Sequence, residues 1–125
     1  MPEMRIILAY IICASILYGA NVCAKRAAPA PVNKVEMNSV VYSAPPFVTS
    51  ENQNGGYVEA RDKNSNELLW RLKVYKTEYN NKLERDVQDI FITSIKLEGG
   101  VILVTDEKGR VFAVNLKTRG VVRNK

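Results

Sequence analysis

From Tyr57 onward the chain is a succession of short strand-like segments punctuated by turn residues, and this regularity leaves an antiparallel β-meander as the only economical architecture. The segments run Tyr57 to Asp62, Leu68 to Tyr79, Asp89 to Leu97, Val101 to Thr105 and Arg110 to Leu116. Between them, Asp62-Lys63-Asn64-Ser65-Asn66 supplies side chains that bond their own backbone or tolerate a left-handed conformation. Glu98-Gly99-Gly100 suits a tight hairpin, and Asp106-Glu107-Lys108-Gly109 a slightly longer one. Upstream, Val35 to Tyr42 forms a first strand, stopped by Pro45-Pro46, which cannot donate to a sheet ladder. The expected fold is therefore all-β, a small antiparallel meander of about five to six strands. Only Asn80 to Gln88 breaks the pattern, and it reads as a loop, helical for a turn at most.

Ahead of this domain stands Arg5, then the apolar run Ile6 to Ala20, closed by Val22-Cys23-Ala24. A short basic stretch, about 15 apolar residues and small residues flanking a cut are the three parts of a secretory signal peptide. The run is too short and too interrupted, at Tyr18, Gly19 and Asn21, for the roughly 20 apolar residues of a transmembrane span. The domain plan is thus a signal peptide over 1–24, an extended Ala/Pro linker over 25–34 and one β domain over 35–125. The expected location is periplasmic or secreted, with no integral membrane segment left after cleavage.

Both cysteines, Cys13 and Cys23, fall inside the leader, and the chain has no histidine. No disulfide framework, histidine metal site or Ser-His-Asp triad is available to the domain, which must hold itself together by its core. Asp62 to Glu67 begins like a calcium loop, with oxygen ligands at alternate positions. It fails at Glu67, where glycine belongs, and at Lys73, where glutamate belongs. Glu84, Asp86 and Asp89 are the one acidic cluster, the type of pair a small carboxylate-based hydrolase would need, but Arg85 sits among them and the segment is polar. The expectation is no enzyme and no cofactor.

Removing Arg5 and Glu3 with the leader leaves the net charge at +5. A mildly basic exported domain suits anionic surfaces or acidic proteins. Specific nucleic-acid binding is not expected, because acidic residues interleave with the basic ones. On the polar side of the second long strand, Arg71, Lys73, Tyr75, Thr77 and Tyr79 alternate, the tyrosine and arginine mixture enriched at protein interfaces. With Leu83 and Arg85 of the following loop, Arg71, Lys73, Tyr75 and Tyr79 make up the expected partner-binding set.

The chain also repeats itself. Gly56-Tyr57-Val58-Glu59-Ala60-Arg61-Asp62 overlays Gly109-Arg110-Val111-Phe112-Ala113-Val114-Asn115, and Ser65 overlays Thr118, at an offset of 53. With Leu69 and Trp70 after the first copy, these residues resemble the repeat of quinoprotein-like β-propellers, in which a strand, an Asp turn and a Leu-Trp pair recur once per blade. The second copy departs from that repeat at Arg119 and lacks the tryptophan. The resemblance covers Gly56 to Gly120 and implies about one blade, with the tryptophan between neighbouring blades. One blade cannot close a ring, so it implies a free-standing sheet, self-association or a partner, and none of the family's quinone or calcium site carries over. Together these readings predict an exported, non-enzymatic binding or structural module that docks a protein or envelope partner by a sheet face or edge. The alternative is a secreted inhibitor acting through the 80–88 loop.

Overall fold

The computed structural model describes residues 27–124; the expected leader and its cut lie outside them. The described residues are all-β and antiparallel, with eight strands divided equally between two sheets. The first sheet has the order β1 (Val35–Met37), β2 (Val40–Ser43), β3 (Tyr57–Asp62), β4 (Leu68–Lys73). The second has β5 (Ile92–Glu98), β6 (Val101–Asp106), β7 (Val111–Asn115), β8 (Val121–Arg123). The count exceeds the expected five to six for local reasons. The segment Val35 to Tyr42 folds back on itself at Asn38 and Ser39, both at positive φ (52° and 63°), the signature of a type I′ hairpin. Leu68 to Tyr79 is a ladder strand only to Lys73. Val121–Arg123, after Gly120, pairs with β7 as a short edge.

The repeat at offset 53 is realised bond for bond. Asp62 Oδ1 accepts the backbone N–H groups of Asn64 (2.8 Å) and Ser65 (3.1 Å). Asn115 Oδ1 accepts those of Lys117 (2.9 Å) and Thr118 (3.1 Å). Asn66 and Arg119 each take the left-handed position, at φ 60° and 62°, and donate to the carbonyls of Asp62 and Asn115. A second correspondence, invisible in residue identities, relates the β1–β2 hairpin to the β5–β6 hairpin, where Gly99 and Gly100 stand in place of Asn38 and Ser39. Its spacing is 61 (Tyr42 to Leu103), not 53, because the connection from β2 to β3 is longer than that from β6 to β7.

That connection returns at Gly55 and Gly56. Gly55 is at φ +75°, and a Cβ there would lie 2.5 Å from the Ile90 carbonyl oxygen, so only glycine lets the chain pass.

Register then assigns the faces. Across the first sheet, Val35, Tyr42, Ala60 and Trp70 stand in one row. The corresponding row of the second sheet is Lys96, Leu103, Ala113 and Val122. One core joins Tyr42, Val58 and Ala60 of the first sheet to Ile95, Ile102, Val104, Phe112 and Val114 of the second. Those second-sheet residues lie on the face opposite to Leu103 and Ala113. The sheets therefore stack front to back: the front of the first covers the reverse of the second.

Trp70 sits at this seam, half-buried. Its ring centroid is 6.0 Å from that of Tyr42, and the Arg119 guanidinium lies 5.4 Å from it.

Two outcomes test this account. Ile102 is fully buried at the seam, so Ile102→Ala is expected to cost about 2–5 kcal/mol in urea unfolding through lost burial and the cavity left behind. The turn hydrogen bonds from Ser65 and Asn64 hold the Asp62 carboxyl below the ordinary carboxylate range. A depressed pKa contributes stability that is fully present above the unfolded value of about 3.9 and is lost as pH falls from there through the lower folded value. Asp62→Asn, mimicking Asn115, is expected to preserve neutral-pH stability and flatten the acid limb of a Tm against pH profile.

Candidate functional site

Beyond Lys73 the chain leaves the ladder but stays extended, and buried amides hold it there. Gln53, 4% exposed, donates from Nε2 to the carbonyls of Gly55 (3.0 Å) and Tyr75 (2.9 Å) and accepts from Thr77 N–H through Oε1 (2.8 Å). Val74 N–H donates to Gly56 O at 2.7 Å. This overturns the expected alternating face. Tyr75, 7% exposed, turns inward and stacks on Phe112 with ring centroids 5.3 Å apart, its hydroxyl donating to Ile90 O at 2.5 Å. Thr77 is buried as well. The physical reason is that period-two alternation holds only while a ladder enforces the pleat.

The remaining members of the expected set separate into two places. Arg71 and Lys73 lie on the back of the first sheet. There Glu59, 6% exposed, is bonded by Arg71 Nε (2.8 Å) and paired with Arg71 Nη2 (2.7 Å) and Arg61 (3.4 Å). Arg71 Nη1 also donates to Ser50 Oγ at 3.4 Å. Its charge is thus taken up within the chain. Lys73 is exposed, with its ammonium 6.0 Å from the Tyr57 ring centroid.

Tyr79, Leu83 and Arg85 come together on the 80–88 loop. Tyr79 donates its hydroxyl to Asp89 Oδ1 at 2.6 Å, and Asn54 Nδ2 donates to Asp89 Oδ2 at 3.0 Å. Burial raises the Tyr79 hydroxyl pKa, and the hydrogen bond to Asp89 adds to the rise. The Arg85 guanidinium stacks 3.8 Å from the Tyr79 ring centroid and donates to the Asn52 carbonyl. Both polar groups are therefore fixed within the loop's base.

The organiser is Gln88, which sequence reading treats as a mere loop end. Its Nε2 donates to the carbonyls of Asn80 (3.0 Å), Glu84 (3.0 Å) and Leu83 (3.3 Å), while Oε1 accepts from Asn80 N–H at 2.6 Å. One side-chain amide so replaces the backbone ladder that this segment lacks, and the segment closes in a single 3-10 turn, Asp86–Gln88. With Arg85 stacked at its base and Gln88 bonded within it, the loop presents Leu83 at 58% and Val87 at 53% exposure. Val87 had no signal in the sequence beyond being apolar in a polar stretch.

The acidic cluster is split by the same fold. Asp89 is 3% exposed and bonded as described, whereas Glu84 and Asp86 lie on the solvent side of the loop. Beside the loop a concavity of about 560 Å³ is lined by Lys76, Thr77, Asp89, Glu107 and Arg110 among others. Its charges are mixed. Thr77 Oγ1 and Arg110 Nη2 lack hydrogen-bond partners but are closed off from solvent, so a solute in the concavity cannot reach them without rearrangement. Among the described residues there is no group of three or more acidic, cysteine or histidine side chains placed to hold a metal ion, and no helix long and apolar enough to cross a membrane. Compared with known proteins, the chain matches no family model and no curated protein.

Gln88→Ala removes four hydrogen bonds from one exposed loop, each with a net worth of about 1 kcal/mol or less in such a setting. The expected outcome is faster amide hydrogen exchange confined to 80–88, with the strands of both sheets protected as before.

Proposed function

We propose that the chain is an exported, non-enzymatic binding module that docks a protein partner through the 80–88 loop. The observation that carries this reading is the pairing of a loop immobilised by Gln88 with two apolar side chains, Leu83 and Val87, held out in solvent. An exposed leucine or valine alone is ordinary. A preorganised loop is different, because a partner that buries it meets little of the ordering cost that weakens flexible loops. The exposed Lys82, Glu84 and Asp86 stand next to the two apolar residues in the chain and would form a polar rim.

Export rests on the Arg5 and Ile6 to Ala20 pattern, and the periplasm or the extracellular medium is the proposed place of action. The likeness to propeller blades is supported by two four-stranded meanders stacked front to back, each with the same Asx-type turn between its third and fourth strands. Rigidity of the loop also suits the narrower reading of a secreted inhibitor inserting Leu83 into a target's cleft.

The test is a photo-crosslinking residue at Leu83 in the full-length chain, expressed with its leader, with a second at Lys117 as control. A single envelope or extracellular protein is expected to crosslink from Leu83 and not from Lys117. The Leu83→Asp, Val87→Asp pair, with the crosslinker moved to Lys82, is expected to lose that adduct with Tm changed by less than about 1 kcal/mol equivalent, as exposed substitutions do. Equal crosslinking from both positions would sink the reading.

A further inference from the structure

The front-to-back stack leaves one apolar sheet face uncovered. The front of the first sheet is buried against the reverse of the second, but the front of the second sheet carries the same kind of surface with nothing upon it among the described residues. In register, its rows are Ser94-Thr105-Val111, Lys96-Leu103-Ala113-Val122 and Glu98-Val101-Asn115. Val101, Leu103, Val111 and Ala113 are half-buried by one another, and Val122 is 64% exposed. An antiparallel sheet facing water ordinarily alternates to polar residues on that side, and here the middle of the face does not.

A third sheet stacked in the same sense would have to present a reverse face like that of Ile102, Val104, Phe112 and Val114. The chain's own first sheet cannot supply it to a second copy. The positions equivalent to Ile102, Val104, Phe112 and Val114 are Val41, Ser43, Glu59 and Arg61, so its reverse is built on the Glu59 ion pairs. Part of it is also occupied by the β2–β3 connection, whose Ser50 accepts from Arg71. Burying that cluster would desolvate charges for little return. Head-to-tail growth of copies is thereby ruled out, and the arrangement open to a second copy is front against front about a two-fold axis.

Charge favours it. The chain carries net +5, yet this face holds one basic residue, Lys96, and one acidic residue, Glu98, two positions apart on β5. Two such faces do not repel, and a two-fold axis crossing the strands between the Lys96 row and the Glu98 row brings each copy's lysine towards the other's glutamate. Size sets the strength: four strands about 4.8 Å apart and about five residues long give roughly 300–350 Å² of face per copy. That is well below the ~800 Å² per partner of a standard stable complex, so the association is weak.

We propose that two copies of this chain pair reversibly through the front of the second sheet, Leu103, Ala113 and Val122 packing across the axis and Lys96 meeting Glu98. This surface is separate from the 80–88 loop, and its fate is independent of that reading. The test is sedimentation velocity on the full-length chain without its leader cleaved or, once cleavage is mapped, on the mature form, from about 10 µM to about 1 mM, the range in which weak complexes of this size associate. The weight-average mass is expected to rise from monomer towards dimer. Lys96→Glu alone and Glu98→Lys alone, which give the face two like charges, are each expected to hold the chain monomeric over that range with unchanged circular dichroism. Mixing the two variants in equal amounts is expected to restore association, with added salt reducing it. A wild-type chain monomeric throughout, or a dimer indifferent to both substitutions and to their mixing, overturns the proposal.

Discussion

The seam between the two sheets carries everything else. Val58 and Ala60 from the first sheet and Ile102, Val104 and Val114 from the second are wholly withdrawn from water there, each large apolar side chain contributing about 1.5–3 kcal/mol by burial. No disulfide reinforces the described residues, which contain no cysteine, and each sheet alone would have a single apolar face and no cover. Position at this seam dictates which residues of the chain must be small or branched, and so which hairpins are free to diverge.

Where the ladder stops, side-chain amides take over. Gln53 fixes the segment that carries Tyr75 into the core, and Gln88 closes the loop that follows. Both use the two-ended hydrogen-bonding capacity of a primary amide, acceptor and donors together, to satisfy backbone groups that have no strand neighbour. Tyr79 and Arg85 at the loop's base are committed to Asp89, Asn52 and each other, while Leu83 and Val87 stand outward beside Glu84 and Asp86.

Much of the fold was legible where local rules are strong. The Asp62 and Asn115 turns, the Gly99-Gly100 hairpin and the antiparallel order follow from residues whose preferences act within a few positions. The division into two sheets was not, since Asn38-Ser39 replaces Gly99-Gly100 at an altered spacing and the equivalent strands share few side chains. The binding set fared unevenly for a similar reason. Alternation from Arg71 to Tyr79 assumed a pleat that ends at Lys73, which sent Tyr75 inward. The ion pair of Arg71 with Glu59 is not legible in the sequence, because it depends on the register between two neighbouring strands. Leu83 and Arg85 stand out in the sequence as an apolar and a basic residue of the one irregular segment, while Gln88 and Asp89 matter through contacts that only the closed loop creates.

The order of the two sheets along the chain has a consequence for biogenesis. Each meander forms from neighbouring hairpins and can zip locally, but the front of the first has no cover until β5, β6 and β7 have been made, 42 residues after the end of β4 (Lys73 to Asn115). A polypeptide emerging from its amino terminus thus displays Tyr42, Val58, Ala60 and Trp70 on an unshielded sheet for that interval. The Glu59 ion pairs on the reverse restrict which side of this nascent sheet is adhesive. During synthesis, the front of this first sheet is the surface that would need shielding from other chains.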